Sequence, residues 1–142
     1  MSVAARAAAA MWLDDHAAHA LGVTIEETGD GVSKLTMPVR DDMTNGHHVI
    51  HGGFVFALAD TAFAYACNSS GQRTVASQCS ISFLAPAHRG DVLTAQAREI
   101  FREGRQGVTD VRVTKADGTV IAMFRGNSRT IKGSVFDNED KH

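Results

Sequence analysis

The 142-residue sequence predicts an α+β fold in which one antiparallel sheet wraps around one long central helix, with a further helix at the N-terminus. Three observations carry that expectation. Residues 54–67 are apolar on every helical face, Asp60 being the one charged exception, which suits a helix buried all round. Segments of alternating apolar and polar residues flank this run on both sides, as half-buried strands do. Asp117-Gly118, between two such segments, is a strong signal for a tight hairpin.

Taken in order, residues 4–21 are rich in alanine and read as one helix, clipped to the domain by Trp12 and Leu13 and ended by Gly22. His16 and His19 read as surface residues on this helix, because a metal would need further ligands. Residues 23–28 and 32–39 form a hairpin around Gly29-Asp30-Gly31, and in its second strand Leu35, Met37 and Val39 oppose Lys34 and Thr36. Residues 40–50 have no period and read as a loop feeding the central helix, beside its unpaired N–H groups. That helix is expected over residues 54–67, starting near Gly52 and Gly53, with Gly71 as its stop. Strands follow at 74–84, 91–101, 107–115 and 119–130. In the first of them Ile81 and Phe83 alternate with Ser80 and Ser82. The tail from Lys132, with Asp137, Glu139 and Asp140, is expected to be solvated and frayed.

Length suits a single domain over residues 1–142. A net charge of -2 without a basic run argues against a nucleic-acid partner. No stretch is long enough to span a bilayer, and the apolar N-terminus is too short and too interrupted, by Arg6, for a signal peptide. The two cysteines, Cys67 and Cys79, form no disulfide framework. A cytoplasmic location is expected.

The chemistry centres on Asp60. An ionised carboxylate inside an apolar helix costs several kcal/mol unless it is paired, so a purely structural helix would carry Leu or Ala there. Gly52 and Gly53 stand at the expected helix start. Their bare backbone lets a ligand reach unpaired N–H groups at the positive end of the helix dipole, a setting for a developing oxyanion. A buried acid and a carbonyl polariser together suggest hydrolysis at a carbonyl. Eight residues of helix separate Asp60 from Gly52, about 12 Å along the axis. One carbonyl cannot touch both in one chain. If both act on one bond, the carboxylate comes from a second copy, so a dimer with shared active sites is expected. His47, His48 and His51 lack the helical context of a zinc site, their nearest acids being Asp41, Asp42 and Asp60, and no metal or other cofactor is expected. No Ser or Cys lies in a nucleophile-elbow pattern.

Asn45-Gly46, His51-Gly52-Gly53 and Leu58-Ala59-Asp60-Thr61-Ala62, followed by residues 63–69 and Phe124-Arg125-Gly126, resemble the hotdog-fold thioesterases. Among these the resemblance is to the phenylacetic acid degradation (PaaI-type) acyl-CoA thioesterases, and it runs along nearly the whole chain. It implies a hotdog fold, with two protomers pairing their sheets edge to edge and two such dimers forming a homotetramer. It also implies hydrolysis of a phenylacetyl-CoA or hydroxyphenylacetyl-CoA thioester. Asp60 would be the catalytic carboxylate, either as nucleophile or as general base. The N–H of Gly52 or Gly53 from the partner subunit would polarise the carbonyl. Thr61 would orient water or the carboxylate, or else simply bond a carbonyl one turn back. Asn45 would donate its amide near the thioester, or else only close an Asn-Gly turn. His51 would hold the loop or the sulfur side, or else only be satisfied by backbone. Coenzyme A would lie on the surface near Pro86, Arg89, Arg102 and Arg105. Two rival readings remain: a hotdog hydratase or dehydratase pairing His51 with Asp60, and a non-catalytic acyl-CoA binding domain.

Overall fold

A computed structural model describes residues 1–137. Helices α1 (Val3–Trp12) and α2 (His16–Leu21) lead into strands β1 (Thr24–Gly29) and β2 (Val32–Pro38). Helix α3 (Gly52–Cys67) follows, then β3 (Gln72–Phe83), β4 (Val92–Glu103), β5 (Gln106–Thr114) and β6 (Val120–Ser134). The six strands form one sheet in the order β1-β2-β4-β5-β6-β3, and every neighbouring pair is antiparallel. α3 packs on one face of that sheet and touches all six strands. The alternation read from sequence is what builds this face: Leu35 and Met37 on β2, Leu93 and Ala95 on β4, Val111 and Val113 on β5 and Phe124 on β6 are all buried against the helix. Ser33 sits among them because its hydroxyl donates to the Ala62 carbonyl of α3 at 2.7 Å. Gly126 has no side chain because the Phe63 ring of α3 occupies the place a Cβ would take.

Three sequence expectations need correction. The N-terminal helix breaks into α1 and α2, because the Asp15 carboxylate accepts the Ala18 N–H at 3.2 Å and starts a new helix. The other oxygen of Asp15 accepts the hydroxyl of buried Tyr65 at 3.0 Å, which anchors this break to α3. Trp12 packs against the core, but Leu13, in the break, is 48% exposed and clips nothing. Gly22 does end the second helix, in the left-handed region at φ 73°. The tail does not fray at Lys132. β6 continues to Ser134 opposite Gln72 of β3, and the Val135 N–H donates to the Gly71 carbonyl at 2.9 Å. The Phe136 ring covers Gly71 and takes the Arg6 guanidinium at 4.8 Å. Asp137 is exposed, as expected, while Glu139 and Asp140 lie outside the described residues. β1 and β3 are the two open edges of the sheet. No described helix is long and apolar enough to cross a membrane.

Candidate active site

The site begins in the loop before α3. A short 3-10 turn, Asp41–Met43, precedes a closed turn in which the Asn45 N–H donates to the Val49 carbonyl at 2.9 Å. The Asn45 side-chain oxygen accepts the N–H groups of His47 (2.9 Å) and Val49 (3.4 Å). His48 takes a left-handed φ of 62° to complete the turn. Asn45 therefore does close its turn, and its amide NH2 has no partner among the described residues. The turn rests on the segment after β3: Ile50 N–H donates to the Ala87 carbonyl at 2.8 Å, and Val49 bridges to His88. This places Pro86 beside the start of α3.

His51 is the N-cap of α3. Its backbone is extended (φ -68°, ψ 134°), and its Nδ1 accepts the Gly53 N–H at 3.1 Å. The Phe54 N–H is taken by the His51 carbonyl at 3.0 Å. Of the two glycines, Gly53 is thus occupied, and the Gly52 N–H has no acceptor among the described residues. Gly52 lies under Phe83, whose ring tip would stand 3.1 Å from a Cβ at that position. Phe83 and Gly52 border an apolar groove of about 450 Å³ that also takes in Val49, Ile50, Leu84 and Pro86.

Asp60 lies two turns further along α3. It is half-buried and has no hydrogen bond or ion pair among the described residues. Burial raises its pKa above the ordinary aspartate value of 3.8. Its charge is felt at Cys79 of β3, whose thiol is raised first by burial and then by Asp60. Burial, reinforced by Glu99, pushes the Cys67 thiol up to about 12. Both cysteines are therefore thiols at neutral pH and poor nucleophiles. Asp60, Ala57 and Ala64 form a stripe of α3 that the sheet leaves partly open, so the helix is not covered all round by its own chain. The Thr61 hydroxyl donates to the Ala57 carbonyl at 2.7 Å, the local bond weighed from sequence.

The remaining sequence candidates are dispersed. Arg89 is exposed and stands 3.5 Å from Asp41. Arg102 is at the other end of α3: its guanidinium binds Glu99 at 3.0 Å, the Cys67 carbonyl at 3.3 Å and Thr130 at 3.4 Å. It closes the C-terminal end of the helix. Arg105 lies in the β4–β5 turn, and its guanidinium has no partner among the described residues. One chain thus assembles Asn45, His51, Gly52, Gly53 and Pro86 around the helix start, and holds Asp60 and Thr61 apart from them. Sequence reasoning missed Phe83 as a site residue. Strand alternation placed it on the helix side of the sheet, but only its contact with Gly52 shows where the ring goes.

A thioesterase superfamily model matches residues 47–122, which span the helix start, all of α3 and the strands up to β6. The chain is 46% identical to the acyl-coenzyme A thioesterase PaaI of Escherichia coli over 127 residues, 89% of this chain and 90% of that one. The chain belongs to the PaaI-type branch of the thioesterase superfamily. It is a thioesterase with the hotdog fold. The structure of the E. coli PaaI protein superposes with a TM-score of 0.92 at 45% identity, covering 93% of this chain and 96% of that one. A hypothetical thioesterase of Streptococcus pneumoniae, whose structure includes coenzyme A, superposes with a TM-score of 0.80 at 26% identity, covering 87% and 95%.

Proposed function

We propose that this thioesterase hydrolyses acyl-CoA thioesters, with phenylacetyl-CoA or hydroxyphenylacetyl-CoA as substrate, in active sites shared by two protomers. The observation that carries the reading is the presence in one chain of Asp60, a half-buried acid, and Gly52, a helix-start N–H, each without a partner among the described residues. About 12 Å of helix separates them in one chain, so a second chain supplies one of the two. The partner's helix start polarises the thioester carbonyl, and the dipole of α3 stabilises the oxyanion that forms. Asp60 then acts in one of two ways. As nucleophile it adds to the carbonyl carbon, the C–S bond breaks, CoA leaves as thiolate, and water hydrolyses the mixed anhydride. As general base it takes a proton from water, which attacks while the same C–S bond breaks. A carboxylate with a raised pKa is the stronger base in either role.

His51 keeps the donor geometry by capping Gly53, so only Gly52 is left to meet substrate. That engagement of His51 favours the thioesterase reading over a hydratase using His51 as its acid or base. Asn45 offers its free amide beside the same helix start, and Thr61, bonded within its helix, fixes the turn that carries Asp60. Pro86 and Arg89 stand on the surface on the side of the helix start and offer groups for the pantetheine arm and phosphates; Arg105 lies at the far end of β4 from them, and Arg102 is committed to α3. The relatives' activity and their coenzyme A complexes support this reading. The test is release of free CoA from a panel of acyl-CoA thioesters. Phenylacetyl-CoA turnover that depends on Asp60 is the expected result. Equal turnover by wild type and Asp60→Asn would remove the basis of the proposal.

A further inference from the structure

The Phe83 ring is on the core-facing side of β3, in line with Ile81, yet Phe83 is 55% exposed. It has passed beyond the core and leans on Gly52, with ring atoms 3.1, 3.3 and 3.6 Å from where a Cβ of residue 52 would be. That is the peptide whose N–H lacks an acceptor among the described residues. The contact also gives the glycine a reason apart from helix geometry: any side chain at 52 would press on the ring. Beside them runs the groove of about 450 Å³, whose other side chains include Val49, Ile50, Val55, Leu84 and Ile121. None of these can donate or accept a hydrogen bond. An apolar acyl group needs no hydrogen-bond partner from these side chains. An exposed aromatic ring beside one free donor in an apolar groove is how a flat apolar ligand with one polar atom is held.

We infer that Phe83 is a specificity-determining residue, its ring forming the wall against which the acyl group packs while the thioester oxygen meets the Gly52 N–H. This rests on the active-site reading above and adds to it the seat of an aryl acyl group. The test compares kcat/KM for phenylacetyl-CoA with that for octanoyl-CoA, which has as many acyl carbons and no ring. The variants are Phe83→Leu, which keeps apolar bulk, and Phe83→Tyr, which keeps the ring. Ring–ring packing predicts that Phe83→Leu lowers the phenylacetyl-to-octanoyl ratio roughly 2- to 10-fold, while Phe83→Tyr keeps the wild-type ratio. An unchanged ratio in Phe83→Leu overturns the assignment. So does a change confined to association state, measured by light scattering, which would make the ring a subunit contact. Asp60→Asn, run in parallel, separates the two failures. If it hydrolyses both thioesters at the wild-type rate, the active-site reading fails and takes Phe83 with it; if it is inactive while Phe83→Leu keeps the ratio, only Phe83 fails.

Discussion

At the scale of the residue, Asp60 combines two costs: it is half-buried, and nothing among the described residues pairs with it. Its raised pKa means that the folded protein holds this proton more tightly than the unfolded chain does. Ionising Asp60 therefore costs stability. The cost is absent below the ordinary value of 3.8, grows as pH rises through the folded pKa, and is fully present at neutral pH. Asp60→Asn removes it. The variant is expected to melt above wild type at pH 7 and to lose that advantage below about pH 3.8, in paired calorimetric scans. Its thioesterase activity is expected to fall about a hundred- to ten-thousand-fold. For the wild type, kcat/KM should rise with pH along a limb whose midpoint lies above the ordinary aspartate value. A limb centred at or below that value would contradict the buried setting of the acid.

At the scale of the element, α3 was readable because its composition leaves no other choice: a run that is apolar all round must be buried, and glycines and a histidine mark its start. The Asp117-Gly118 hairpin and the β2 alternation were equally plain, since both are local patterns. What escaped the sequence depends on contacts between distant segments. The break between α1 and α2 is a local cap at Asp15, but it is held by Tyr65, 50 positions along the chain. The extension of β6 to Ser134 depends on pairing with Gln72, and the seating of Phe136 depends on Gly71. The commitment of Arg102 to the end of α3 is a tertiary contact with Cys67 and Glu99 that spacing could not show. Gly126 makes the same point: in sequence it looks like a weak spot in a strand, and in the fold it is the socket for Phe63. Gly126→Ala is expected to destabilise the protein by about 1–3 kcal/mol through overpacking, measured by urea unfolding. Phe63→Leu in the same chain should recover part of the loss if that ring is the clash.

At the scale of the whole molecule, the partly open stripe of α3 and the unpaired β3 edge both leave Asp60 on a side that another subunit can cover. The sharing of active sites can be tested without a structure of the assembly. Gly52→Pro removes the one N–H proposed to polarise the carbonyl, and the position is suited to it. Proline is favoured at the first residue of a helix, and His51 before it already has the extended backbone that a following proline requires. Gly52→Ala keeps the N–H and adds the same Cβ near Phe83, so it separates loss of the donor from crowding of the ring. Gly52→Pro and Asp60→Asn should each be inactive alone. In a mixed dimer built on a two-fold axis, one site collects both lesions and the other has neither. Random reassociation of equal amounts makes about half the dimers mixed, so about a quarter of wild-type activity should return. Full separation of the two protomers' roles is required for that result. If both groups served a site within one chain, co-denatured and refolded mixtures would stay inactive, however many mixed dimers native mass spectrometry counted.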